Sequence, residues 1–251
     1  MPELTYPAIL PVLAILLFAG LVHGTLGLGF PMTATPLLAM FMDVQSAILI
    51  TLFPTIGVNI ISIIRGGNWG QSIGRYWPLA LFAALGSIIG TQVLIISAPE
   101  PFKLLLALLI VLYLNTGRIG KLMMNWIADH QLLSMALFGL IAGFMAGTVN
   151  VMVPILVVFS LELGLAMTAM IQVFNLCFLA GKVSQVGGFS FAGMLDSELL
   201  VAVLPGVAVS VGALLLGMQL RDRIKTETYS QLLRYLLMVS ALILTAQFIA
   251  G

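Results

Sequence analysis

The stretch Gly20-Leu21-Val22-His23-Gly24-Thr25-Leu26-Gly27-Leu28-Gly29-Phe30-Pro31 has a counterpart at Gly143-Phe144-Met145-Ala146-Gly147-Thr148-Val149-Asn150-Val151-Met152-Val153-Pro154. Both fit the pattern G-x-x-x-G-T-x5-P, at an offset of 123 positions. A second match follows in the same order. Phe53 leads to Gly66-Gly67 as Phe174 leads to Gly187-Gly188, at an offset of 121. Two spacings kept in one order mark residues 1–125 and 126–251 as structural repeats. In an apolar chain, segments interrupted by Gly and Pro at matching places in two halves point to a transport site between the halves.

Of the 251 residues, 61% are hydrophobic and 8% charged, whereas a soluble domain is roughly 25% charged. The long apolar runs therefore belong in a lipid bilayer. Nucleic acid is not an expected partner, because no basic cluster is present to neutralise phosphates. The patterns G-x-x-x-x-G-K-[ST], H-E-x-x-H and C-x-x-C are all absent. No nucleotide-hydrolysing loop is therefore expected, and the chain reads as a non-enzyme without a cofactor. Cys177 lies in an apolar run and reads as a buried packing residue, as do the scattered methionines. The start Met1-Pro2-Glu3-Leu4 is acidic and no A-x-A site follows, so the first apolar run reads as structure, not as a cleavable leader.

Apolar segments run over 8–26, 28–42, 44–64, 76–97, 101–117, 132–147, 149–163, 165–185, 198–219 and 229–250, five in each half. Segments one, two, six and seven read as short against the ~20 residues of a spanning helix. They meet pairwise at the duplicated motifs, where glycine allows tight turns and proline suits a first helical turn. Each pair is expected to form a helical hairpin whose tip stops inside the membrane. If each pair turns back on itself, Arg65, Arg75, Arg118, Lys121, Arg221, Arg223 and Lys225 share one side. Asp43, Glu100, Asp196 and Glu198 share the other, with Lys103 the one cation there. Because Lys and Arg stay cytoplasmic in short loops, this arrangement is preferred over a broken spanning helix. It puts both termini on the periplasmic side. Each half then crosses an odd number of times, so the second repeat is inverted relative to the first.

The candidate site residues lie at the tips and on the third segment of each half. Helices starting near Pro31 and Pro154 present unpaired N–H groups and a partial positive charge of about half an electron. Two such starts converging from inverted halves make a midplane anion site. Gly24, Gly27, Gly29 and Gly147 shape it, and Thr25, Thr148 and Asn150 can add donors. The competing reading is close helix packing, which explains Gly20, Gly24, Gly143 and Gly147 equally well. Thr51, Thr55, Asn59 and Ser62 share one helical face; Gln172, Asn175, Lys182 and Gln185 share another. A polar stripe on a spanning helix faces protein or a water-filled cavity, whether for transport or for helix-to-helix hydrogen bonds. Lys182 either faces an anion or snorkels to the interface. His23 sits beside the first tip and titrates near neutral pH in water, whereas its counterpart is Ala146.

The glycine-rich first hairpin, the polar third helix ending in Gly-Gly, and the repetition of the unit resemble the TauE/SafE family. These are the sulfite exporter family of membrane permeases, also grouped as the TSUP transporters. The resemblance runs from about Ala8 to about Ala250. It implies an inner-membrane secondary transporter of sulfite, organosulfonates or related sulfur-containing anions, commonly coupled to a proton or other ion gradient. Thr25, Leu26 and Leu28 interrupt the more glycine-rich form of the first motif, which leaves the exact anion open. The expectation is an all-α polytopic membrane protein of two inverted repeats. A small sulfur-containing anion would cross through a central site as the repeats rock about it. The alternatives are an anion channel, with flux uncoupled from any gradient, and a non-transporting scaffold subunit whose polar stripes serve packing alone.

Overall fold

The computed structural model of the chain describes residues 6–67, 69–115, 124, 126–221 and 226–250. Among these residues every regular element is a helix. The first half contributes α1 (Tyr6–Leu26), α2 (Phe30–Ala39), α3 (Val44–Gly66), α4 (Ile73–Ile96) and α5 (Glu100–Asn115). A single-turn helix, α6 (Trp126–Asp129), opens the second half. It is followed by α7 (Gln131–Val149), α8 (Val153–Glu162), α9 (Met167–Phe191), α10 (Ser197–Leu220) and α11 (Thr226–Ala250). Seven of these, α1, α3, α4, α7, α9, α10 and α11, are long and apolar enough to cross a membrane. The chain is an all-α polytopic membrane protein.

Two expectations about length need correction. The first arm of each hairpin is not short: α1 has 21 residues and α7 has 19. At 1.5 Å per residue each is about 30 Å long, enough to span the hydrocarbon core. Only the second arms, α2 and α8, are short, at 10 residues each. The apolar count reached the last residue of α1 and missed only its start, and at α7 it stopped at Gly147, two residues short of Val149; glycine in lipid does not end a helix whose neighbours keep its backbone dry.

Two helix starts outside the breaks, those of α3 and α10, follow ordinary capping. Asp43 caps α3 by accepting the Ser46 N–H at 2.8 Å, and Asp196 caps α10 by accepting the Leu199 N–H at 2.7 Å. The breaks are built differently. In the first, Gly27 and Gly29 have φ of 81° and 110°, the left-handed region that glycine enters without steric cost. In the second, Asn150 takes φ 63° and ends α7. Asn is the side-chain-bearing residue that best tolerates this conformation.

The glycines also reveal how the helices run. Along α1, Gly20 abuts Ala213 while Gly24 abuts Gly217 and Met218 of α10, so the two helices are parallel. Along α7, Gly139 meets Leu79 and Phe82, and Gly147 meets Ser87, Gly90 and Thr91 of α4, again in parallel. In the same way α3 lies parallel to α10, with Pro54 beside Gly206 and Gly57 against Val207 and Val211. Gly181 and Gly188 of α9 meet Ser87 and Thr91 of α4, also in parallel. Since α1 and α3 both run with α10, the chain must come back between them, and α2 is the returning arm of a hairpin. The same holds for α8 between α7 and α9. By contrast, α3 and α9 are antiparallel: Gln172, near the start of α9, donates to the Ile63 carbonyl near the end of α3. Exchanging the two halves turns α1 on α10 into α7 on α4, and α3 on α10 into α9 on α4. Both members of each exchange are present.

These directions place Asp43, Asp196 and Glu198 at one end of the bundle and Arg65, Arg75 and Arg221 at the other. Arg118, Lys121, Arg223 and Lys225 lie outside the described residues. So do Met1-Pro2-Glu3-Leu4 and Asn125, where the first half ends.

Small residues are what let these helices approach. A Cβ on Gly139 would lie 2.7 Å from both the Leu79 carbonyl oxygen and the Phe82 Cβ. Van der Waals packing drives helix association in lipid, so such approaches carry much of the stability. Gly139→Leu should therefore destabilise the protein by about 1–3 kcal/mol through overpacking. Gly212→Leu should be near neutral, because nothing lies within 4 Å of its side-chain position. Thermal unfolding of the two variants in detergent checks the contrast; equal melting temperatures would rule out a tight α4–α7 seam.

Candidate functional site

The first break is closed by a histidine. Phe30, the first residue of α2, donates its backbone N–H to Nδ1 of His23 at 3.2 Å. Nε2 of the same ring lies 3.1 Å from the Ser62 hydroxyl of α3, which in turn donates to the Val58 carbonyl at 2.8 Å. An Nδ1 that accepts leaves the ring proton on Nε2, so these bonds select the neutral imidazole. The carbonyl of Gly27, inside the break, accepts from Nδ2 of Asn175 on α9 at 3.1 Å.

The second break is closed by amides. Asn150 donates from Nδ2 to Thr35 Oγ1 on α2 at 2.7 Å and to Thr51 Oγ1 on α3 at 3.3 Å. Gly147 lies in the last turn of α7, where carbonyls have no intrahelical partner. Its oxygen accepts from Gln185 Nε2 on α9 at 3.0 Å. Each break is thus held by both central helices, one from its own half and one from the other.

The tips do not meet at one level. Their anchors on α3, Thr51 and Ser62, are eleven residues apart, or about 16 Å along the helix. The long first arms carry the tips past one another, where short arms would have stopped them together at the midplane. Between the two levels lie Thr55 and Asn59 on α3 and Lys182 on α9, while Asn175 stands at the level of the first break; all four are at least 99% buried. Lys182 is the one Lys or Arg that is buried among the described residues, so it does not snorkel. Its Nζ donates to Gln185 Oε1. The amide oxygens of Asn59, Asn150 and Asn175 have no hydrogen-bond partner among the described residues. Their nitrogens are committed to the Thr55 carbonyl, to the Thr35 and Thr51 hydroxyls, and to the Gly27 carbonyl, which fixes how the amides point. The interior therefore offers one ammonium and several neutral oxygens.

Other residues from the sequence reading are placed in packing. Gly24 abuts Gly217 of α10. Thr25 donates to Leu21 and Val22 carbonyls of its own helix, and Thr148 to Phe144 and Met145. Thr55 likewise bonds the Thr51 carbonyl. Gly29 is the N-cap of α2; Pro31 and Pro154 stand in the first turns of α2 and α8 and so remove one N–H from each helix start. With the Phe30 N–H already taken by His23, the start of α2 has little left to offer an anion. Gln172 bridges the Ile63 and Gly67 carbonyls at the end of α3, toward the membrane edge. Two residues gain weight from the structure. Thr35 gave no signal beyond being polar in a short apolar arm. Gln185 carried one, its spacing of three from Lys182 on the same face.

Asn150 has two separable duties, a left-handed backbone and a side-chain link. Asn150→Gly should keep the turn and lose only the link to Thr35 and Thr51. Asn150→Val should lose both, costing about 1–2 kcal/mol more for the strained backbone. Detergent unfolding of both variants measures this, and an order of stability with valine above glycine would refute the turn assignment.

Residues 12–244 match the family model described as sulfite exporter TauE/SafE. No curated protein and no solved structure matches the chain.

Proposed function

The chain belongs to the sulfite exporter TauE/SafE family, and on that premise we propose that it is a secondary active transporter of a small sulfur-containing anion. The anion binds between the two hairpin tips, beside Lys182. One observation carries the reading: a buried lysine, bonded to a neutral amide, stands between two chain breaks in the interior of a membrane-spanning bundle. An ammonium in hydrocarbon is costly, and an anion is the partner that offsets the cost. Family membership fits a membrane transporter of sulfite or a related anion, not an enzyme.

The halves are two inverted repeats in this reading. The antiparallel course of α3 and α9 and the exchangeable packing pairs support that arrangement. Transport proceeds by rocking of the repeats, driven by a proton or another ion. The membrane is the inner membrane, with both termini on the outer side. Arg65, Arg75 and Arg221 at one end support this orientation through the preference of basic loops for the cytoplasm.

Purified protein in liposomes should accumulate at least one of sulfite, thiosulfate, sulfate and sulfoacetate against its gradient when an ion gradient is imposed. Flux that only runs downhill would make it a channel, and no flux would favour the scaffold reading. Lys182→Gln should weaken the apparent affinity for the transported anion roughly 10- to 100-fold, the size of one lost charge-assisted hydrogen bond of ~1.5–3 kcal/mol. Lys182→Arg should retain part of it. An unaltered affinity in Lys182→Gln overturns the site.

Topology has its own test. Single cysteines at Gly70 and Ser197, in a background without Cys177, should react with an impermeant maleimide from opposite sides of the membrane. Labelling from one side only contradicts the inverted arrangement.

A further inference from the structure

Gln185 continues the polar face of α9 that carries Lys182, and both ends of its amide are committed. Oε1 accepts from the Lys182 ammonium, and Nε2 donates to the Gly147 carbonyl at the end of α7. An ammonium has three donors, and among the described residues Gln185 is the one acceptor bonded to Lys182. Rotating the amide end for end would set its NH2 against the ammonium and its oxygen against a carbonyl, so the orientation is fixed by both partners. We propose that Gln185 is a positioning residue: it holds the Lys182 charge at a fixed place relative to the second hairpin, leaving the remaining ammonium donors for the anion. The inference rests on the anion-site reading given under Proposed function.

Three features argue for a role beyond packing. Lys182, Gln185 and Gly147 all belong to the second half, so charge and hairpin form one unit. The corresponding break in the first half is closed by His23 and Ser62, which places no full charge there. A long lysine side chain has many rotamers, and ordering it before the anion arrives lowers the cost of binding. The anion is thus held by the second half, the half that carries the charge.

A double-mutant cycle on transport affinity tests this, using whichever of sulfite, thiosulfate, sulfate and sulfoacetate the wild-type protein accumulates. Gln185→Leu alone should raise the apparent KM about 5- to 10-fold, and Lys182→Met alone should raise it more. In the Lys182→Met background, Gln185→Leu should add less than about twofold, because a residue acting through the lysine has nothing left to position. A purely structural role would instead give multiplying effects, or a lower maximal rate with KM unchanged, and either result overturns the proposal. Should Gln185→Leu fail to purify as a single species, Gln185→Met, closer in length, takes its place in the cycle. If Lys182→Met itself leaves KM unaltered, the anion-site reading fails and the proposal with it. If Lys182→Met weakens binding while Gln185→Leu does nothing, only the positioning role fails.

Discussion

A chain that breaks its helix inside hydrocarbon cannot borrow hydrogen bonds from water. Everything distinctive in this bundle follows from meeting that requirement twice. Each break leaves N–H and carbonyl groups bare, and an unsatisfied one costs several kcal/mol. The first break sends its Phe30 N–H to an imidazole and its Gly27 carbonyl to Asn175. The second sends its Gly147 carbonyl to Gln185 and uses Asn150 itself to reach Thr35 and Thr51. The same backbone problem is solved with different side chains in the two halves, so the bundle is nearly symmetric in shape and asymmetric in chemistry.

For those side chains to reach the breaks, the hairpins have to be enclosed. All but one residue of α2 are buried, although the arm is only ten residues long. Glycine stripes bring α1 onto α10 and α7 onto α4 at backbone contact, and α3 and α9 close the interior from the middle. The helices most closely packed on one another come from opposite halves. Neither half presents a complete wall of its own, and the polar residues at the centre are shielded by both.

Much of this was legible in the sequence. The duplicated G-x-x-x-G-T pattern located both breaks, and the polar stripes on α3 and α9 contained most of the bonds that close them. Hydropathy stopped α7 at Gly147, because it scores composition and cannot see that Gly147 packs against α4 without ending the helix; at α1 it missed only Tyr6 and Pro7. The level of the tips follows from the length of the arms, so it was lost with it. Thr25 and Thr148 look like ligands in a motif, but a hydroxyl in a helix bonds its own preceding turn unless something better is offered. Partner choice depends on distances between elements, and a single sequence does not encode those at the resolution of one hydrogen bond. Lys182 was the reverse case: burial removes the snorkelling reading, since its side chain has no route to the interface, and leaves the anion reading as the proposal.

The offset between the tips has an electrical consequence. On the proposed anion path, hairpins anchored at Thr51 and Ser62 seal the interior in series at different depths, like the doors of an airlock. The transmembrane field, worth ~2.3 kcal/mol per elementary charge per 100 mV, then divides across two barriers instead of falling across one. An anion on that path moves through part of the potential before it reaches Lys182 and crosses the rest when the second seal opens. That proposed cycle shares its voltage sensitivity between two steps, each hairpin resisting only a fraction of the driving force.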